Sequence, residues 1–222
     1  VVTGRRENMI EEVASRIESL GRRTLRKTAD VMNKDSVIAL REEVMSKLGS
    51  VDILLNAAGR TVRKPTISQP IEEWQSIIDT NLTGMVISCQ AFHEALKKSG
   101  RGRVINIASL SSYVSLRDVA AYAASKAGVL SLTKSLAIEW APDLINVNAI
   151  APGVFRTDLN SALLDGTERG REFLIRTPMK RFGKPEELVG AAVLLGSEAA
   201  SYITGECIVV DGGFLCSGVN SI

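Results

Sequence analysis

The chain has 222 residues, 45% apolar and 23% charged, with a formal net charge of +2 and both signs interspersed. That length can bury a substantial core in one domain spanning residues 1–222, and the charge balance offers no basic surface for nucleic acid. No stretch reaches the roughly 18 apolar residues of a membrane span, and Cys89, Cys207 and Cys216 show neither CxxC nor metal-ligand spacing; they read as buried thiols of a reducing, cytoplasmic compartment.

Short apolar runs alternate with longer amphipathic ones along the chain, the pattern of a parallel sheet with helices on both faces. The opening VVTGRR, residues 1–6, is an apolar pair running into Thr3 and Gly4, followed by Arg5 and Arg6. An amphipathic helix follows over 8–20, then a short basic bit (Arg22, Arg23, Arg26, Lys27) read as a solvated face. A second helix spans 34–48 and leads to a strand at 51–56, VDILLN. The long periodic stretch 71–98 reads as one helix. It contains the lone His93, which has no partner histidine and reads as structural. Further strands fall at 103–108, 145–150 and 207–210, and further helices at 120–140 and 185–195. Pro185 followed by Glu186 and Glu187 suits a helix start, with acids facing the positive end of the dipole. Residues 153–184 lack clear periodicity and read as a long functional loop. The expected architecture is a Rossmann-like doubly wound α/β fold with a parallel sheet.

The sharpest local signal is AYAASKAG at 121–128, where Tyr122 and Lys126 stand four apart on one helical face. A phenol ordinarily releases its proton near pH 10; a neighbouring ammonium stabilises the phenolate and makes Tyr122 an acid or base at neutral pH. Ser109 lies thirteen residues upstream at the end of the strand INIA, where a hydroxyl can hold a substrate carbonyl at the sheet's carboxyl edge. Tyr113 competes through Arg117, also four residues on, but arginine's permanently charged planar fork is a poor substitute for lysine. Tyr113 is expected to line the substrate pocket. No Cys/His/carboxylate cluster suggests a metal.

Taken in order, these residues resemble the short-chain dehydrogenase/reductase family over essentially the whole chain. The resemblance rests on Asp30-Val31, NAAG at 56–59, NLTG at 81–84, Ser109, Tyr122-x-x-x-Lys126, Pro152-Gly153 with Thr157, and VDGG at 210–213. It implies Tyr122 as general acid/base, Lys126 as its pKa modulator and holder of the nicotinamide ribose, Ser109 as orienter of the reacting carbonyl, and Asn81 as link from Lys126 to a water chain. It implies a homo-oligomer, dimer or tetramer, paired through the helices at 71–98 and 120–140. NAAG, SLTKSLAIEW and RTPMKRFGKPEELVGA are most similar to gluconate 5-dehydrogenases and related sugar-acid or polyol enzymes. The alternatives are a reductase of 3-oxoacyl thioesters on acyl carrier protein and, in another class, a non-catalytic fragment or binding-only relative. For a small-molecule sugar acid, Arg60, Arg63, Lys64 and Arg156 are the candidate cations, Arg63 and Arg156 foremost.

The 18 glycines contain neither G-x-G-x-x-G nor the family's G-x-x-x-G-x-G. VVTGRR is followed by one helix and then Asp30-Val31, which places it at the family's second strand. The expectation is therefore a chain lacking its first βα unit, with roughly 30 residues preceding Val1 in a longer parent and a gap in the sheet between its second and fourth strands. Arg5 then occupies the position that discriminates NADP from NAD, so NADP(H) is favoured over NAD(H). Asp30 and Val31 are expected to border the adenine and Asn56, Ala57, Ala58 and Gly59 the adenosine ribose. Pro152, Gly153, Phe155 and Thr157 fall to the nicotinamide side, with Tyr122 and Lys126.

Overall fold

The strand Gly102–Ile107, internal to the larger sheet, is buried along nearly its whole length because helices cover both of its faces. Strand alternation sends Val104 to one face and Ile105 to the other. Val104 joins Val37, Leu40, Phe92, Leu96, Val129 and Val147 in the larger core cluster. Ile105 packs with Ile150, Leu195 and Ala200 in the smaller one. Each such fully buried aliphatic side chain stabilises the fold by roughly 1.5–3 kcal/mol. The computed structural model describes residues 1–157 and 160–218.

Six strands are described: β1 (Val2–Gly4), β2 (Arg26–Thr28), β3 (Ile53–Asn56), β4 (Gly102–Ile107), β5 (Ile145–Pro152) and β6 (Cys207–Val210). Every pairing among them is parallel. The helices are α1 (Glu7–Ser19), α2 (Lys34–Leu48), α3 (Ile71–Ile78), α4 (Gly84–Ser99), α5 (Ala120–Trp140), α6 (Ser161–Leu164), α7 (Glu168–Arg176) and α8 (Val189–Gly196). This is the expected Rossmann-like α/β fold. β1 pairs with β2, and β3-β4-β5-β6 form a separate sheet in that order; among the described residues no ladder joins β1 to β3. Ile53 and Leu55 of β3 remain half exposed.

Three readings need correction. The stretch 71–98 is not one helix: α3 passes through a π-turn at Asp79–Thr83 before α4 begins. Here the Thr80 hydroxyl donates back to the Ser76 carbonyl, and Asn81 is tied to the backbone of Arg60. A π-insertion of this kind often marks a functional site. Gly84 then lets the helix approach β2's exit closely, since a Cβ there would sit 2.8 Å from Val31 Cγ2. The supposed loop 153–184 carries two helices, α6 and α7. Their four and nine residues are too short for periodicity to show, and α7 is held by its Thr167 cap, whose hydroxyl accepts from Gly170 N. The thiols also differ from expectation: Cys89 is buried, Cys207 half-buried and Cys216 exposed. Asp211 explains the last case, because its carboxylate gathers Gly213 N and Leu215 N into a turn that leaves Cys216 outside.

Residues 185–195 start as a single 3-10 turn, Pro185–Leu188, before α8 takes over. His93 is structural as read: its imidazole meets Asp143 at 2.9 Å and Glu94 at 3.0 Å and lies 4.7 Å from the Trp140 ring. No described helix is long and apolar enough to cross a membrane.

Candidate active site

The parallel strands bring their carboxyl ends to one edge, where loops after β3, β4 and β5 converge. Ser109 follows β4 and caps the short turn Leu110–Ser112. Its Oγ accepts from Ser111 N at 3.1 Å, while its own backbone N–H donates to Ser112 Oγ at 3.3 Å. Ser112 Oγ in turn donates to the Lys126 carbonyl at 2.7 Å, fastening this turn to α5. Ser109, Tyr122 and Lys126 thus share one locality: the Ser109 side chain is near enough to the Tyr122 hydroxyl to favour its phenolate, and Lys126 Nζ lies 5.8 Å from the Tyr122 ring centroid.

The electrostatics differ from the sequence expectation. Burial raises the Tyr122 pKa above its ordinary value, opposed by the neighbouring Ser109 side chain. Lys126 is almost fully buried, 4% exposed, and burial pushes it down to about 8. Its Nζ donates to the Ile107 carbonyl at 2.6 Å.

Asn81, in the π-turn, is completely buried and uses its whole amide. Its Oδ1 accepts from Arg60 N at 2.8 Å, and its Nδ2 donates to the Arg60 carbonyl and to Ser125 Oγ, both at 2.9 Å. Ser125 Oγ donates to the Tyr122 carbonyl at 2.7 Å, so the π-turn, the loop after β3 and the catalytic turn of α5 are one network. A Cβ on Gly59 would lie 3.5 Å from Asn81 Oδ1 and 3.8 Å from Lys126 Nζ, so both polar groups face the open space above this glycine. Beneath, Asn56 donates to Asn106 Oδ1 at 3.0 Å and Asn106 to Thr133 Oγ1 at 3.0 Å, with Cys89 Sγ as a second acceptor for Asn56. The Asn56 side chain therefore points into the sheet, leaving Ala57, Ala58 and Gly59, all exposed, on the cleft side. Sequence reasoning missed Ser112 and Ser125; the signal for the first was a Ser-x-x-Ser capping pair starting at Ser109.

At the other end, Arg5 is exposed just past β1, and the Gly4 carbonyl accepts from Ala29 N at 2.8 Å beside Asp30. Asp30 Oδ1 accepts from Met32 N, shaping the turn that carries Val31. Pro152 ends β5 and Gly153 N donates to Val210 O; a Cβ at 153 would collide with Asp211 Cα at 2.6 Å. Phe155 bridges to Gly183, and exposed Thr157 receives Asn160 Oδ1 on its N–H at 2.8 Å. This set of groups fits a nicotinamide dinucleotide: a lysine and polar turns at one end, an acid and an arginine at the other. Among the described residues no glycine-rich turn stands between them for the pyrophosphate.

The candidate substrate cations separate clearly. Arg156 grips Asp165 with Nε at 2.9 Å and Nη2 at 2.6 Å, Lys64 lies 3.4 Å from Glu73, and Arg60 donates to Ser76 Oγ at 2.7 Å. Arg63 makes a looser contact to Asp118 at 3.3 Å. Tyr113 is half exposed in the turn after Ser109.

A parallel α/β sheet with serine, tyrosine and lysine converging at its carboxyl edge defines a nicotinamide-dependent oxidoreductase acting on CH–OH groups. A family model described as enoyl-(acyl carrier protein) reductase matches residues 1–215, and the chain belongs to the short-chain dehydrogenase/reductase family. Within it, the chain is 37% identical over 211 residues to the 2-dehydro-3-deoxy-D-gluconate 5-dehydrogenase of Escherichia coli (strain K12), covering 94% of this chain and 83% of that protein. It is 40% identical over 208 residues to the 3beta-hydroxysteroid dehydrogenase 1 of Eggerthella lenta, covering 93% and 80%. A gluconate 5-dehydrogenase from Burkholderia cenocepacia, solved in complex with NADP and tartrate, superposes with a TM-score of 0.93 at 34% identity, covering 98% of this chain and 85% of that one.

Proposed function

We propose that this protein is an NADP(H)-dependent oxidoreductase interconverting a ketone and a secondary alcohol on a sugar acid, as a gluconate 5-dehydrogenase does, within one nucleotide-binding domain. The observation that carries the chemistry is the buried Lys126, whose Nζ lies 5.8 Å from the Tyr122 ring centroid, on the same helix and tied through Ser112 to the turn that Ser109 caps. The similarity to gluconate dehydrogenases supports the substrate class.

In the reductive direction the Ser109 hydroxyl hydrogen-bonds the substrate carbonyl oxygen and Tyr122 passes its phenolic proton to that oxygen. The nicotinamide, when bound, supplies the hydride that reaches the carbonyl carbon. Lys126 would hold the nicotinamide ribose, and its charge beside the phenol would lower the Tyr122 pKa. Asn81 keeps the π-turn in place so that a proton path reaches Lys126 from solvent. Asp30, Val31, Ala57, Ala58 and Gly59 border the adenosine half; Pro152, Gly153, Phe155 and Thr157 border the nicotinamide. Arg5 receives the 2′-phosphate of NADP, which makes NADP(H) the preferred cofactor.

The proposal extends to a cytoplasmic homo-oligomer. Exposed Ile138 on α5, Val189 and Val193 on α8, and Val209 on β6 offer apolar surface for a second copy. Absorbance at the reduced-nicotinamide band tests the function. 5-Ketogluconate is expected to be turned over faster with NADPH than with NADH, and an acetoacetyl thioester poorly. Preference for the thioester would transfer the assignment to acyl-carrier reduction. Failure of the chain to bind either nucleotide in a titration would mark it as non-catalytic.

A further inference from the structure

Ser112 is a second serine committed to the turn after β4, and its hydroxyl is used twice. Oγ accepts from the Ser109 backbone N–H at 3.3 Å and donates to the Lys126 carbonyl at 2.7 Å. Its own N–H donates to the Ser109 carbonyl at 3.0 Å, so one residue grips the backbone of Ser109 at both ends. The Ser109 side chain is held by the same turn, its Oγ accepting from Ser111 N at 3.1 Å. A serine hydroxyl has one proton to give and two lone pairs. The contact with Ser111 takes a lone pair and leaves the proton as the part that Ser109 can offer to a carbonyl oxygen.

The bond from Ser112 to Lys126 is not one that the helix needs. The Lys126 carbonyl lies inside α5, where the helical pattern already gives it the N–H four residues on. The capping box at this turn likewise asks of Ser112 only its contact with the Ser109 N–H. What the additional bond does is join two segments: it sets the turn at Leu110–Ser112, and Ser109 with it, at a fixed distance from the helix that carries Tyr122 one turn before Lys126. Lys126 meets the same stretch of chain a second time, through Nζ on the Ile107 carbonyl at 2.6 Å. The end of β4, the turn and α5 are thereby closed into one ring of hydrogen bonds, with the half-buried Ser112 as its side-chain link.

We propose that Ser112 is a positioning residue for the reduction, holding the Ser109 hydroxyl where a substrate carbonyl oxygen must meet it. This rests on the ketone-reducing reading above and deepens it by naming the side chain that sets Ser109 against α5.

A double-mutant cycle in the full chain tests it, with 5-ketogluconate reduction by NADPH expressed per site counted in an NADPH titration. That count removes any loss of folded protein from the comparison. Ser112→Ala should lower kcat per site on the order of 10- to 100-fold, the cost of a reacting group slightly misplaced, with NADPH affinity unchanged. Ser112→Thr keeps the hydroxyl and should restore most of the loss. Because Ser112 acts through Ser109, Ser112→Ala should have no further effect in a Ser109→Ala chain. A serine that merely supports the fold would cost the same factor in both backgrounds, and that result would overturn the role of Ser112. So would an unchanged kcat in S112A, or S112T as slow as S112A; each leaves the function reading standing. A wild-type chain that binds NADPH and leaves 5-ketogluconate unreduced would overturn that reading and this proposal with it.

Discussion

Lys126 and Arg63 are both cations expected at the site, and they are held in opposite ways. Lys126 is buried on α5 and donates at 2.6 Å to a strand carbonyl, amid a network running through Ser112, Ser125 and Asn81. Arg63 stands exposed on a loop with a 3.3 Å contact to one carboxylate. Under the proposed function the difference suits two jobs. Proton chemistry needs one fixed geometry and a shifted pKa, which burial supplies. Choosing among substrates needs charge that can be rearranged by loop sequence, which the rim supplies.

The sharpest way to break this contrast is to remove the phenol. Tyr122→Phe should lower kcat by roughly 10³-fold or more, within the range for a lost general acid/base, with an unchanged circular dichroism spectrum. Lys126→Met should follow with a loss on the order of 10²-fold for every substrate. Lys126→Arg should not rescue it, because the guanidinium cannot occupy the compact site against Ile107.

The same lysine makes a stability prediction. Folded Lys126 titrates near about 8, against an ordinary 10.5. Below about 8 it is charged in both folded and unfolded chains, and the burial penalty is fully present. Above 10.5 it is neutral in both, and the penalty is gone. Its contribution to stability therefore rises between those values, by at most about 3 kcal/mol. Urea unfolding at pH 8 and pH 10.5 should show this rise in the wild type relative to K126M, and parallel curves for the two would contradict it.

Smaller effects sharpen the contrast. Ser125→Ala removes one of the two acceptors of buried Asn81 Nδ2 and the donor to Tyr122's carbonyl, and should cost about 1 kcal/mol of stability together with a lower kcat at unchanged KM. Arg156→Gln, at the rim and already matched by Asp165, should change stability by less than about 1 kcal/mol and leave kinetics within about twofold.

What could be read in advance follows the same division. α5 matched its expected bounds, 120–140, because a run of helix formers carries its own signal and Tyr122 and Lys126 lie within it. β6 likewise fell at 207–210. The π-turn at Asp79–Thr83 was illegible because it depends on Asn81 meeting the backbone of Arg60, a contact between distant segments. Lys126's attachment to Ile107 was hidden for the same reason. Spacing could pair it with Tyr122 but could not show which partner it takes. β1 and β2 proved to be three residues each, too short for alternation to fix their ends.

The central claim is that Ser109, Tyr122 and Lys126 form a working hydride-transfer site for a sugar-acid ketone. Incubation of the chain with 5-ketogluconate and NADPH deuterated at the nicotinamide C4, followed by mass spectrometry of the product, tests it directly. The account predicts gluconate carrying one deuterium from the wild-type protein and essentially none from Tyr122→Phe. Absence of labelled gluconate from the wild-type chain, or equal labelling from the variant, would contradict it.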